Sequence, residues 1–165
     1  MSNIEESKNI SNHIIQAAVL IAEELHRGQT DKAGVDYFES HLTTVGEAGA
    51  NWKEKVVGYL HDAAEDTEYS VEQVMQMLKG RAGNLLAENE AKEIKLALEL
   101  LNSQTASSRE EYITRLMQSK LACQVKLNDL THNMDLSRIA HPTEKDYARI
   151  KKYEKEFELL KDYLK

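Results

Sequence analysis

The chain has few of the residues that interrupt or cross-link secondary structure. Its 165 residues include one proline and seven glycines, together about 5% of the chain where an average protein has about 12%. Cys123 is the single cysteine, which excludes an internal disulfide and predicts a reducing compartment such as the cytoplasm. No apolar stretch approaches the ~20 residues that span a bilayer. So few breaks in the sequence predict an all-α protein.

Basic residues are also scarce relative to acidic ones. The chain has 21 Lys and Arg against 28 Asp and Glu, which gives a formal net charge of −7 at pH 7. A general nucleic-acid binder, or a protein drawn to anionic membranes, needs a basic surface. We therefore expect a protein that binds neither nucleic acid nor a membrane. The sequence is compatible with a homo-oligomer but does not indicate one.

Apolar residues recur at helical spacing along almost the whole chain. These stripes predict seven or eight helices in one compact domain over residues 1–165, and no strand. Ser11 is expected to cap the first helix, and Ser70 with Gln73 forms a capping box for a later one. The predicted helices cover residues 12–27, 41–48, 51–64, 71–78, 85–101, 109–118 and 120–135, and a last one follows Thr143.

The densest group of chemically active side chains is His61-Asp62, followed by Glu65-Asp66. On a helix, Asp62, Glu65 and Asp66 share one face at spacings of three and four residues. Three carboxylates on one face repel each other unless a cation binds or some of their pKa values rise. The apolar residues 56–60 that precede them are not typical of a solvated face. The alternative is a helix C-terminus that carries surface charges.

A second acidic residue strengthens the case for a bound cation. Asp129 shares a helical face with Ala122 and Val125, so we expect its carboxylate to point into the protein. A buried carboxylate needs a partner, and a metal ion suits several acids at once. Two imidazoles with two carboxylates would form a mixed N/O donor set, which suits Mn²⁺, Fe²⁺ or Zn²⁺ better than Ca²⁺. The alternative for Asp129 is a salt bridge to Lys126.

The order of these residues resembles that of a known superfamily. His41, then His61-Asp62, then Asp129 follows the H…HD…D pattern of the HD-domain metal-dependent phosphohydrolases. Within it, the chain resembles the hydrolase domain of the Rel/SpoT alarmone enzymes and the small alarmone hydrolases. Four blocks between about residues 22 and 154 carry the resemblance: 26–29, 34–41, 60–67 and 125–134. The third is similar to LHDxxEDT and the fourth to VKLxDxxHNM, and together they imply an HD-domain fold.

The resemblance also implies roles for individual residues. One divalent ion, expected to be Mn²⁺, would be bound by His41, His61, Asp62 and Asp129. Glu65 and Asp66 match the acidic pair that orients or deprotonates the attacking water. The residues that match substrate-binding positions are Lys32, Asn133, Arg149 and Tyr153. For Tyr153 the alternative is a core position, because it also lies on the apolar stripe of the last helix.

The activity implied is that of a guanosine 3′,5′-bis(diphosphate) 3′-pyrophosphohydrolase. The alternatives are a phosphatase of another nucleotide and a catalytically silent scaffold that binds a nucleotide. Two departures from the family bear on this choice. His41 is followed by Leu42 instead of proline, and the segment from Tyr37 to His41 is one residue longer. Asp31-Lys32 replaces a pair of basic residues, so we expect Asp31 to present a negative charge to the nucleotide.

Two further histidines are expected to support the structure. His26 continues an apolar stripe of the first helix, which predicts a hydrogen-bonded residue near the core. His132 is expected to orient a ligand or to stabilise the fold. Cys123 has no basic neighbour at catalytic spacing and is expected in the core.

Overall fold

The computed structural model describes residues 2–165, and every regular element within that range is helical. The all-α class predicted from the sequence is therefore confirmed. Outside the helices, Thr30 and Asp36 form one isolated β-bridge. The α-helices are α1 (Asn3–Leu25), α2 (Thr43–Ala48), α3 (Trp52–Leu60), α4 (Ala63–Asp66), α5 (Val71–Ala82), α6 (Glu88–Leu101), α7 (Arg109–Arg115), α8 (Lys120–Asn133) and α9 (Glu144–Leu164).

The first helix begins earlier than the sequence predicts. Ser2 is its N-cap, since the Ser2 hydroxyl accepts a hydrogen bond from the N–H of Glu5. Ser11 lies inside the helix, where its hydroxyl donates to the carbonyl of Ser7 at 2.9 Å. The prediction of a cap at Ser11 was wrong because a serine within a helix can satisfy its hydroxyl on the preceding turn.

The helix predicted over residues 51–64 is interrupted at His61 and Asp62. Asn51 caps α3 through the N–H of Glu54, but α3 ends at Leu60, and His61 and Asp62 form a turn before α4. The N–H of Asp66 still donates to the carbonyl of Asp62 at 2.9 Å. The spacing of the carboxylates is thus kept over a single helical turn.

Other predicted helix ends agree more closely with the structure. Ser70 and Gln73 form the capping box of α5, which continues through Gly80 and ends at Gly83. Gly83 has a φ of +58°, in the region that glycine adopts at little cost. Thr143 caps α9 as predicted. No helix in residues 2–165 is long and apolar enough to cross a membrane.

A π-helical turn, Phe38–Leu42, precedes α2 and carries His41. A π-helix accommodates an additional residue in a helical turn and often occurs at a functional site. The segment from Tyr37 to His41, for which the resemblance implies one additional residue, leads into this turn. The rings of these two residues lie 5.3 Å apart, so both face the same part of the interior.

Helix α3 lies at the centre of the fold, packed against α1, α2, α6 and α8, while α9 packs on α8. The contact between α2 and α3 is unusually close because glycines face each other. A Cβ atom on Gly58 would lie 2.9 Å from the carbonyl oxygen of Val45 and from the Cα of Gly46. This close approach holds the segment that bears His41 against the helix that leads into His61.

Candidate metal centre and adjoining cavity

Four potential metal ligands from separate parts of the chain meet in the interior. His41 comes from the π-helical turn, His61 and Asp62 from the turn between α3 and α4, and Asp129 from α8. One ligand atom of each lies within 4.8 Å of the other three. His41 Nε2 is 2.9 Å from Asp129 Oδ1, and His61 Nε2 is 3.1 Å from Asp62 Oδ2. Donors around a tetrahedral ion at about 2.0–2.1 Å lie about 3.4 Å apart, so this set could hold a divalent ion.

Both histidines turn Nε2 towards the carboxylates because Nδ1 is engaged elsewhere. His61 Nδ1 lies 2.6 Å from the carbonyl oxygen of Gly58, to which it donates. His41 Nδ1 lies 2.8 Å from Nδ1 of His132. A hydrogen bond on the second ring nitrogen is what fixes a metal-binding histidine in its tautomer and orientation.

The pair of Nδ1 atoms requires a neutral His132. If His41 binds a cation through Nε2, its Nδ1 carries the proton, and His132 must accept it. Burial, then the charge of Arg138 and then His41, lowers the pKa of His132 to about 4. His132 is therefore neutral at pH 7 and orients His41, in line with the supporting role expected for it.

The imidazoles and carboxylates of the donor group also pair with each other. Burial alone would lower the pKa of His41 and of His61, but Asp62 and Asp129 beside them raise both pKa values above the ordinary range. A metal ion would compete with protons for the same nitrogen atoms, as expected for a site whose ligands must be deprotonated.

Asp129 forms the salt bridge to Lys126 that was the alternative for this residue, and it does so while it faces the other members of the donor group. Its Oδ2 accepts a hydrogen bond from Lys126 Nζ at 2.7 Å, whereas Oδ1 faces the histidines. Asn133 Nδ2 also donates to Oδ1, at 3.1 Å. Burial alone would raise the pKa of Asp129, but the ammonium of Lys126 and hydrogen bonds from the histidines hold it well below the usual value. Asp129 is thus ionised and fixed in orientation.

Tyr37 belongs to the site, although it was not among the residues predicted from the sequence. Its hydroxyl donates to Asp62 Oδ2 at 2.6 Å. Burial, and then the negative charge of Asp62, raises the pKa of Tyr37, so the phenol stays protonated and can donate. The available signal was its position four residues before His41, about one helical turn away.

Glu65 and Asp66 lie beside the donor group on α4. Glu65 Oε1 accepts a hydrogen bond from the N–H of Ser103 at 2.6 Å, and Gln104 donates to the Glu65 carbonyl at 2.9 Å. Partial burial, followed by the charges of Asp62 and Glu65, raises the pKa of Asp66 to about 6. The serine-rich segment after α6 therefore fixes Glu65, while Asp66 titrates closer to neutral pH.

Two cavities adjoin at this site. We call the first the acidic cavity: it measures about 200 Å³ and contains the four donors with Glu65 and Asp66. The second, the basic cavity, measures about 250 Å³ and is lined by cations from three segments. The residues common to both walls are Tyr37, His41, Asn133 and Tyr153. The structure thus brings all four predicted substrate residues, Lys32, Asn133, Arg149 and Tyr153, to the basic cavity.

Asp31 does not present the free negative charge that the sequence predicts. Its carboxylate accepts hydrogen bonds from the N–H groups of Ala33 and Val35, from the Ser40 hydroxyl and from Arg138. Its side chain is only 5% exposed. Burial alone would raise the pKa of Asp31, but these four hydrogen bonds lower it to about 2. The expectation was wrong because the carboxylate closes its own loop and neutralises an arginine.

The helix α9 contributes two of the predicted residues. Arg149 Nη2 donates to Asp146 Oδ1 at 2.8 Å, which orients the guanidinium. Tyr153 is half-buried and packs against the core as well as lining both cavities, so its two interpretations are compatible. Arg109, which the sequence did not indicate, lies over the Tyr153 ring and donates two hydrogen bonds of 2.9 Å to Glu156.

Two residues have the structural positions expected of them. His26 is 1% exposed and its Nδ1 lies 2.8 Å from Gln29 Oε1. Cys123 is fully buried in the core, with its Sγ near the carbonyl of Leu116. Neither belongs to the donor group.

An all-helical fold with two histidines and two aspartates converging in its interior is typical of a metal-dependent enzyme. The sequence relatives of this chain are named as enzymes that act on guanosine nucleotides. The GTP pyrophosphokinase of Streptomyces coelicolor is 30% identical over 127 residues, covering 75% of this chain and 15% of that protein. The bifunctional (p)ppGpp synthase/hydrolase SpoT of Escherichia coli K12 is 28% identical over 123 residues, covering 73% of this chain and 17% of that protein.

A guanosine-3′,5′-bis(diphosphate) 3′-pyrophosphohydrolase of Escherichia coli O157:H7 matches equally, at 28% over 123 residues. The chain spans less than a fifth of the length of these relatives. No family model matches it. The chain is thus related to Rel/SpoT-type enzymes, whose names describe both synthesis and hydrolysis of guanosine nucleotides.

Proposed function

We propose that this protein is a metal-dependent phosphohydrolase of the HD-domain type that acts as a guanosine 3′,5′-bis(diphosphate) 3′-pyrophosphohydrolase. The observation that supports this most is the buried donor group of two histidines and two aspartates, whose His41 also lines the cavity that contains Lys32 and Arg149. A water-activating centre beside an anion-binding cavity is what hydrolysis of a nucleotide phosphoester requires.

The proposed ligands of one divalent ion are His41, His61, Asp62 and Asp129, and we propose Mn²⁺ as the ion. Such an ion would supply Lewis-acid activation of a phosphate oxygen and of water. The mixed nitrogen and oxygen donors agree with Mn²⁺, Fe²⁺ or Zn²⁺ better than with Ca²⁺. Both carboxylates are held ionised by their neighbours, as ligands must be.

Glu65 and Asp66 are the proposed acid–base pair. Asp66, whose pKa is about 6, would accept a proton from the attacking water, while Glu65 is fixed by Ser103 and orients that water. Water adds to the 3′ phosphorus, the bond from phosphorus to the ribose 3′ oxygen breaks, and the proton ends on that oxygen. GDP and pyrophosphate leave. General acid–base catalysis of this kind contributes about 10²- to 10⁴-fold in rate.

The basic cavity would bind the rest of the nucleotide. Lys32 and Arg149 supply positive charge for phosphate oxygens, and Asn133 offers an amide beside Asp129. Tyr153 provides a flat ring in the wall that the two cavities share. We favour hydrolysis over pyrophosphoryl transfer because two carboxylates lie next to the donor group, where they can act on water.

The test is incubation of the wild type with guanosine 3′,5′-bis(diphosphate) and Mn²⁺, followed by chromatography of the products. We expect GDP and pyrophosphate. The double variant Glu65→Gln with Asp66→Asn should keep the metal and lose about 10²- to 10⁴-fold in turnover. Cleavage of 5′ monophosphates alone would favour the other nucleotide phosphatases, whereas binding without turnover would favour a silent scaffold.

A further inference from the structure

The basic cavity contains a cation that the site described so far does not use. Its lining draws Lys32 from the loop before the π-helical turn, Arg138 from a short 3₁₀ turn and Arg149 from α9. Asp31 and Asp135 also line it, but both carboxylates accept hydrogen bonds from their own turns. In a chain of net charge −7, the convergence of three cations on one cavity is a local feature that suits an anion.

Arg138 is held so that part of its guanidinium stays available. Its Nη1 donates to the carbonyl of His132 at 3.0 Å, and its Nη2 donates to Asp31 Oδ2 at 3.1 Å. The side chain is 24% exposed. A guanidinium has five N–H donors in a fixed plane, so these two bonds leave donors for a ligand in the cavity. A planar, pre-oriented guanidinium is well suited to phosphate.

The two carboxylate oxygens of Asp31 accept hydrogen bonds from different groups. Oδ1 accepts from the N–H groups of Ala33 and Val35, which closes the loop. Oδ2 accepts from the Ser40 hydroxyl and from Arg138. An asparagine could keep the Oδ1 bonds and so the loop, while it releases Arg138 from a neutralising charge.

We infer that Arg138 binds the phosphate group of the substrate that lies farthest from the donor group, and that Asp31 is the positioning residue for it. The positive charge missing from the loop at position 31 is thereby supplied from the 3₁₀ turn that follows α8. The site then selects nucleotides with phosphates on both sides of the ribose. This inference rests on the proposed function for the identity of the ligand.

The test measures binding of GDP, ADP and inorganic pyrophosphate by calorimetry in EDTA, so that the donor group takes no part. Arg138→Gln should weaken binding of the preferred diphosphate about 10- to 100-fold, the range expected for a hydrogen bond to a charged group. Arg138→Lys should recover part of that loss. Asp31→Asn should bind the same ligand as tightly as wild type or more tightly. Arg81→Gln, which breaks an exposed arginine–carboxylate pair with Glu24, is the matched control and should change nothing.

A purely structural arginine would give a different pattern. Arg138→Gln and Asp31→Asn would then lose affinity together, and the inference would be wrong. Unchanged affinity in Arg138→Gln, or a wild type that binds none of the three ligands, would also overturn it. Hydrolysis is assayed separately on the same preparations. A selective loss of binding in Arg138→Gln with no hydrolysis by wild type would uphold the inference and overturn the proposed function.

Discussion

Asp129 and Asp62 each contact more than one partner, and these contacts fix the orientation of the two carboxylates. Asp129 joins Lys126 to the histidines, and Asp62 accepts from Tyr37 while it faces His61. Lys126 holds Asp129 by Oδ2, on the side away from the histidines, whereas Tyr37 holds Asp62 by the same Oδ2 that faces His61. Such outer partners commonly change metal affinity by about 10- to 100-fold when they are removed.

Tyr37→Phe removes one of these outer partners and keeps the ring. Because the hydroxyl donates to Asp62 at 2.6 Å, we expect Mn²⁺ affinity to fall about 10- to 100-fold and stability to fall by about 1.5–3 kcal/mol, as for a hydrogen bond to a charged group. Metal titration and urea unfolding measure the two effects. Tyr163→Phe, at an exposed position on α9, is the control. Equal metal affinity in both variants would contradict the role given to Tyr37.

The lowered pKa of Asp31 predicts how the stability of the protein depends on pH. The hydrogen bonds of this residue lower the pKa to about 2 from an ordinary 3.8. A lowered pKa stabilises the folded state fully above the unfolded value, and this contribution is lost as the pH falls through the folded value. The difference in unfolding free energy between wild type and Asp31→Asn should thus be largest at pH 7 and shrink between about pH 4 and pH 2. Asp162→Asn, at an exposed carboxylate, is the control, and a difference independent of pH would be inconsistent with this account.

At the scale of elements, capping residues in the sequence predicted the starts of α5 and α9. Ser70 and Thr143 were identified correctly because each lies just before an apolar stripe, and Gln73 because it lies three residues after Ser70. The π-helical turn could not be predicted, because π and α hydrogen bonding place similar demands on side chains. The break after Leu60 was missed for a related reason, since neither His61 nor Asp62 is a helix breaker.

The close contact between α2 and α3 provides the test at this scale. Gly58→Ala would place a Cβ 2.9 Å from backbone atoms of Val45 and Gly46, so the helices must separate. We expect a loss of about 1–3 kcal/mol in unfolding free energy and weaker Mn²⁺ binding, because His41 moves away from His61. Gly80→Ala, where nothing lies within 4 Å, should instead stabilise by about 0.5–1 kcal/mol. The same change in both variants would argue against the packing role of Gly58.

At the scale of the whole molecule, an acidic protein places a basic cavity beside an acidic one. The donor residues could be selected from the sequence because their order is a recognisable pattern. Arg109 and Arg138 could not, since only the tertiary fold brings these isolated residues to the cavity walls, whereas the spacing of Tyr37 from His41 was an available signal. The prediction that Asp31 presents a negative charge was wrong for the same reason, because its partner Arg138 is 107 residues away in the chain.

The most direct test of the central claim is elemental analysis of the wild type and of Asp129→Asn after dialysis against Mn²⁺. Asparagine keeps the size of the side chain and can still accept from Lys126, so the helical circular dichroism spectrum should be unchanged. The donor group predicts one ion per chain in the wild type and none in the variant. Full occupancy in Asp129→Asn, or no bound ion in the wild type, would contradict the account.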